Sequence, residues 1–142
     1  MLSTTKSRLI WALQILVAVA FLGAGGSKLA GTEAMVSMFE AIGFGQSLRY
    51  LTGIVEVVAA MLLLIPGRAA LGGLLVVGTM TGAVATHLFL IGGSAVPAIV
   101  LGLLGCAILV LRLGLLNASG DAMSEFVREQ RIAADREAET AN

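Results

Sequence analysis

The chain has 142 residues, is 58% hydrophobic and only 13% charged, and is net neutral, so it carries about half the charge of an ordinary water-soluble domain. Nine Lys and Arg against nine Asp and Glu, without a basic stripe, exclude nucleic acid as a partner. Cys106 is the single cysteine, which excludes an internal disulfide and dithiol chemistry within the chain.

In chain order, the first apolar run predicts a span over residues 9–29. Lys6 and Arg8 precede it, and no charge falls between Arg8 and Lys28. A signal peptide begins in the same way. The length of this run and the three spans that follow make it a retained helix, with cleavage near Gly23-Ala24-Gly25 as the alternative. Residues 32–43 are different in character. Thr32 fits an N-cap, Glu33 suits the helix dipole, and Gly43 suits a helix end. Met35, Met38, Phe39 and Ile42 recur at i, i+3, i+4 and i+7, with Ser37 and Glu40 off the stripe. The segment is too short to span. It reads as an amphipathic helix at the bilayer surface over the bundle mouth, or as packed core.

The second span is expected over residues 48–65 and stops at Pro66-Gly67-Arg68, where proline cannot continue the helical ladder. From there to Arg112 the sequence contains no acid or base except His87, a run long enough for two spans of about 20 residues each. The third span is placed at 69–91, a turn at Gly92-Gly93-Ser94-Ala95-Val96-Pro97, and the fourth span at 97–116. Pro97 suits a first helical turn, and Arg112 in the last turn can snorkel to the interface. Residues 117–142 form a polar tail in which six acids outnumber Arg128, Arg131 and Arg136. Residues 121–137 suit a solvated helix with pairs such as Arg131 with Asp135. The division is thus a four-span domain, 1–116, and a polar tail, 117–142.

Most Lys and Arg fall on one side of these spans: Lys6, Arg8, Arg68, Arg112 and the tail arginines, against Lys28 and Arg49. The positive-inside rule then makes both termini cytoplasmic. The fold class is all-α: an integral membrane four-helix bundle, up-down-up-down, with a short amphipathic outer helix between spans one and two. Small residues at Gly78, Gly82 and Thr86, at Gly102 and Cys106, and at Gly23 and Ser27 predict close helix approach in lipid. Cys106 is expected there as a small hydrophobe in a helix interface.

Glu56 is the residue that demands an explanation. A carboxylate exposed to lipid costs about 3 kcal/mol or more, so it must face the bundle interior. Lys28 on span one and His87 on span three lie near the same depth. Arg49 shares the helix face of Glu56, with Thr52 between them, but lies too far along the axis for direct contact. Two readings stand open. One is a polar pocket that binds a ligand head group or relays a proton through His87. The other is a buried Lys28–Glu56 pair that sets helix register, with His87 bonded to a carbonyl or to Thr52. Gln14 can bond a neighbouring helix. Thr79, Thr81 and Thr86 are expected to return their hydroxyls to the preceding turn, and Trp11 and Tyr50 to anchor at the interfaces. The sequence carries no recognisable metal site and no recognisable catalytic set.

The stretches Phe21-Leu22-Gly23-Ala24-Gly25-Gly26-Ser27-Lys28-Leu29, Gly43-Phe44-Gly45, Gly53-Ile54-Val55-Glu56 through Pro66, and Gly82-Ala83-Val84-Ala85-Thr86-His87-Leu88 resemble the DoxX-like membrane proteins. The resemblance covers residues 9 to about 113. It implies a four-helix bundle in the cytoplasmic (inner) membrane of a bacterium. The family takes its name from a membrane subunit linked to thiosulfate:quinone oxidation. Lys28, Glu56 and His87 match its polar signature, and no catalytic role is carried over to them.

The resulting expectation is an accessory membrane subunit without a catalytic centre of its own. It would bind a quinone-like or other hydrophobic small molecule, or anchor a soluble partner. Lys28 would hold a carbonyl oxygen, Glu56 would accept or release a proton, and His87 would connect the site outward, with Thr52 and Arg49 nearby. No cofactor is intrinsic to the chain, and quinone is the candidate ligand. The expected partners are the lipid bilayer, a soluble or membrane redox protein that brings electrons, and a second copy of the chain. The alternatives are a small-molecule or proton transporter, and a purely structural scaffold. A transporter needs a wet path through both leaflets, and Gln14 is the one strongly polar side chain placed in the inner half.

Overall fold

The computed structural model describes the backbone of residues 4–140 and the side chains of residues 5–133. Its helices are α1 (Thr4–Ala30), α2 (Glu33–Ile42), α3 (Gln46–Leu64), α4 (Ala69–Thr86), a single π-helical turn (His87–Ile91) and α5 (Val96–Thr140). The described residues contain no strand. Four stretches, Thr5–Ala30, Gln46–Leu64, Ala69–Ile91 and Val96–Ala133, are long and apolar enough to cross a membrane. The shortest has 19 residues and is about 29 Å long at 1.5 Å per residue, close to the hydrocarbon thickness of a bilayer. Leu16, Ile54, Leu74 and Leu103 all point outward. Helices that are apolar on their outer faces are solvated by lipid rather than water.

Each helix end can be accounted for by its residues. At the end of α1, Thr32 N–H donates to Ser27 O and Gly31 N–H to Lys28 O, with Gly31 at φ +68°. This is a Schellman closure, and it needs glycine at the left-handed position. Thr32 also occupies the N-cap of α2, where its carbonyl accepts from Met35 and Val36 N–H. Its hydroxyl makes no capping bond, unlike the usual N-cap threonine. Gly43 ends α2 in the left-handed conformation, as its position predicts. α3 stops at Leu64, before Pro66 and the positive-φ Gly67.

The expected fourth span, 97–116, and the expected solvated helix, 121–137, are joined in one helix, α5, which continues to Thr140. No proline interrupts it, and Ser119 and Ser124 fold their hydroxyls back onto Leu115 O and Asp121 O. The lone Gly120 costs only about 1 kcal/mol in a helix interior. The chain divides into two units, Met1–Leu111 and Arg112–Asn142. In the second, Asp121, Glu125, Arg128 and Glu129 are exposed together with Met123, Phe126 and Val127. The expected Arg131–Asp135 pair lies outside the described residues.

In the first unit, α1 packs on α3 and α3 on α4, while α4 meets α5 through Gly73 against Gly105 O and Leu109. The core holds Val17, Ala18, Phe21, Ala59, Ala60, Leu63, Val76 and Ile108. Gln14 is fully buried there and donates to Leu63 O. That carbonyl is among the last of α3, beyond reach of a helical N–H because the helix stops before Pro66. An amide from α1 thus satisfies the helix end that proline creates.

Glycines set the closest approaches, but of those that i, i+4 spacing suggests only Gly102 does so, where a Cβ would lie 3.3 Å from Met80 Cβ. A Cβ on Gly25 would lie 2.8 Å from Gly53 O, and one on Gly72 would lie 2.7 Å from Leu63 N. Gly23, Gly78 and Gly82 face open space, and Cys106 is exposed rather than in a helix interface. Spacing places small residues on one face of a helix, but it does not say which face meets a neighbour. In α4 the face bearing Gly78 and Gly82 turns towards a cavity.

Candidate functional site: a cavity under α2

The cavity has a volume of about 590 Å³ and draws its walls from every helix of the first unit. α2 contributes Met35, Met38, Phe39 and Ile42. These four are the residues of its apolar stripe, so the 3.6-residue period of α2 is read out as one wall of a chamber. Gly78, Gly82 and Ala83 of α4, Ala24 of α1 and Ala98 of α5 also line it. Much of the space exists because these positions carry little or no side chain.

Lys28 and Glu56 supply the charge in that wall. Lys28 Nζ donates to both carboxylate oxygens of Glu56, at 2.9 and 2.7 Å. The local sequence explains why they meet. Gly25 and Gly53 each lie three residues before a charged partner, and on a helix i and i+3 share a face. The backbones touch at the glycines; a Cβ on Gly25 would lie 3.1 Å from Glu56 Cβ, and one on Gly53 would lie 3.1 Å from Lys28 Cβ. The ion pair therefore straddles the closest contact of α1 with α3, with Lys28 level with Gly53 and Glu56 level with Gly25. The Lys28 side chain is 14% exposed and that of Glu56 3%.

The remaining expected site residues separate into two groups. Thr52 and His87 line the same cavity. The Thr52 hydroxyl is within reach of Leu48 O and Arg49 O, at 2.9 and 3.1 Å, and so returns its proton to its own helix. His87 Nδ1 lies 2.9 Å from Gly92 O. A carbonyl only accepts, so Nδ1 carries the proton there. His87 thus bonds a carbonyl at the end of its own π-helical turn rather than Glu56 or Thr52. Arg49 stands outside the lining. It is 4% exposed and donates to Lys28 O and, at 2.6 Å, to Gln46 Oε1. Its guanidinium also lies 4.2 Å from the Tyr50 ring centre. It caps the last turn of α1, where the helix dipole favours a cation.

The trio of Lys28, Glu56 and His87 thus shares one chamber, but only the first two are joined. The described residues leave no buried side-chain N or O without a partner and hold no group of three His, Cys, Asp or Glu able to bind a metal. Thr79, Thr81 and Thr86 bond Leu75 O, Val77 O and Gly82 O, as expected. Among the lining residues not foreseen at the site are Gly78, Gly82, Met80 and Leu101. Helices apolar on all sides carry no signal of which face encloses a space.

Neither curated proteins nor solved structures provide a match to this chain. The family model for the DoxX-like family matches residues 12–112. The matched segment contains the glycine–lysine end of α1, the glycine–glutamate pair of α3, and His87. The chain is a membrane protein with four candidate spans, and it belongs to the DoxX-like family.

Proposed function

We propose that this protein binds a quinone-like or other apolar small molecule in the cavity under α2, as an accessory subunit of a membrane redox process. In this reading the four spans run up-down-up-down through a bacterial inner membrane. Both termini are cytoplasmic, and α2 lies as an amphipathic cover on the outer surface. The supporting observation is a chamber of about 590 Å³ with mostly apolar walls and the Lys28–Glu56 pair set into one side. Small-molecule sites have that composition: largely apolar, with a few fixed polar groups.

A quinone fits this donor set. Lys28 has three protons, of which Glu56 takes two, so one remains for a carbonyl oxygen. Glu56 has lone pairs free to hold a proton. Met35, Met38 and Phe39 offer a soft apolar surface to a ring. A bound quinone would carry electrons and protons, with the electrons coming from a partner protein. Beyond the cavity Val17, Ala18, Ala59, Leu63, Val76 and Ile108 are fully buried. That packing favours a closed pocket over a passage across the bilayer.

The test is mass spectrometry of small molecules retained after gentle extraction. Wild-type protein is expected to retain a neutral isoprenoid-type species. Gly82→Leu fills open space in the lining and should lower retention about tenfold, roughly 1.4 kcal/mol, with the melting temperature unchanged. Equal retention by both proteins would refute the site. The orientation has its own test. A reporter fused after Asn142 should be active only in the cytoplasm, and periplasmic activity would reverse the assignment.

A further inference from the structure

Resting on the ligand-cavity reading above, we infer that the chamber selects a neutral head group bearing a hydroxyl or carbonyl, and rejects an anionic head on the same apolar body. The argument is one of charge balance. Lys28 and Glu56 both line the cavity and are joined by two hydrogen bonds, so their charges cancel within the wall. The next cation along the chain, Arg49, is not part of the lining; it is held by Lys28 O and Gln46. His87, the remaining basic side chain of the lining, directs its Nδ1 proton to Gly92 O, so a carboxylate or phosphate entering the chamber would meet no free ammonium or guanidinium and would approach the carboxylate of Glu56. Burying an anion without a counter-charge is strongly unfavourable.

The hydroxyls around the chamber favour the same class. Ser27, Thr52, Thr79 and Thr86 each return their proton to a carbonyl of their own helix. What they and Glu56 still offer is acceptor capacity. The third proton of Lys28 is the matching donor. A donor beside acceptors, with zero net charge, suits an alcohol, a phenol or a ketone. It does not suit a fatty acid or a lipid phosphate.

The pair is also the element that enforces the choice. In Glu56→Gln the side chain keeps nearly the same shape but loses its charge, so Lys28 becomes an unbalanced cation in an apolar chamber. That variant should reverse the preference and accept the anion.

The experiment uses full-length protein in lipid nanodiscs and two probes of matched body, dodecanol and dodecanoate, with empty nanodiscs subtracted. Gly82→Leu serves as the occluded-cavity control. Wild-type protein should bind dodecanol about tenfold or more tightly than dodecanoate, and Glu56→Gln should shift that ratio at least about a hundredfold towards dodecanoate. The wild-type ratio is decisive even if the variant does not fold. Dodecanoate bound as tightly as dodecanol by wild-type protein, with both lost in Gly82→Leu, overturns the charge-balance inference and leaves the cavity as a binding site. A folded Glu56→Gln that leaves the ratio unchanged also overturns it. Binding of neither probe, or binding insensitive to Gly82→Leu, overturns the ligand-cavity reading itself.

Discussion

Lys28→Met alone is expected to destabilise the protein by about 3–5 kcal/mol, because it leaves a buried carboxylate unpaired. Glu56→Leu should cost less. The reason lies in the unequal burial of the pair: Glu56 is 3% exposed and Lys28 14%. A lysine near the end of α1 can swing its ammonium along the helix towards water. A glutamate ten residues into α3 has no comparable escape, since its stem is shorter and its face of the helix is packed on α1. The double variant Lys28→Met/Glu56→Leu should recover most of the loss, since replacing both members of a buried pair by apolar groups is often close to neutral. Thermal unfolding of the four proteins in one lipid environment completes the cycle. If the two single losses simply add in the double variant, the pair contributes no coupling and the geometry at 2.7–2.9 Å has no energetic meaning.

Gly72→Ala is expected to be about as damaging as many core deletions, although it adds a single methyl group. The new Cβ would lie 2.7 Å from Leu63 N and 3.0 Å from Ala59 O. Both atoms are backbone, so no rotamer change relieves the contact, and α3 and α4 must move apart. Overpacking of this kind typically costs about 1–3 kcal/mol. Gly25→Ala meets Gly53 O at 2.8 Å and carries a second penalty. Separating α1 from α3 also stretches the Lys28–Glu56 bonds at the same contact, so its effect should shrink in the Lys28→Met/Glu56→Leu background. Gly78→Ala and Gly82→Ala face open space and should lie within about 0.5 kcal/mol of wild type. Melting temperatures of these four variants check the ranking. A Gly72→Ala protein as stable as Gly78→Ala would show that α3 and α4 are not in the contact described.

The sequence reveals the spans, the turns and the short helix for one reason: lipid tolerates few charges and no broken backbone. Pro66-Gly67 and Gly92-Gly93 mark ends because their backbone requirements are local. The stripe of α2 is legible because Ser37 and Glu40 lie off it. The meeting of Lys28 with Glu56 can be anticipated because an intramembrane carboxylate has few places to go. What is not legible is facing. In α4 nearly every side chain is apolar or small, so nothing in the string distinguishes Gly72, against a backbone, from Gly82, against a void. Arg49 shares a face with Glu56 by periodicity, yet it is held by a single carbonyl near the end of α1, that of Lys28, a partner invisible until two helices are placed side by side. The end of α5 is obscure for a different reason. A change from apolar to polar residues marks a change of solvent, and a helix that satisfies its own hydrogen bonds crosses that boundary without stopping.

Lys28 is tied to α3 at both ends. Arg49 holds its backbone carbonyl, and Glu56 holds its ammonium. A residue fastened twice to the same neighbour cannot serve as a moving part, so the floor of the chamber is its stationary portion. The roof is attached differently. The ten residues of α2 hang between Gly31 on one side and Gly43 and Gly45 on the other, all at positive φ. Among the described residues α2 is joined to α3 by one side-chain hydrogen bond, Gln46 Nε2 donating to Val36 O, and Phe39 is its one buried residue, so under the proposed ligand-binding reading that short helix, and not the charged wall, is the segment expected to give way when a molecule enters.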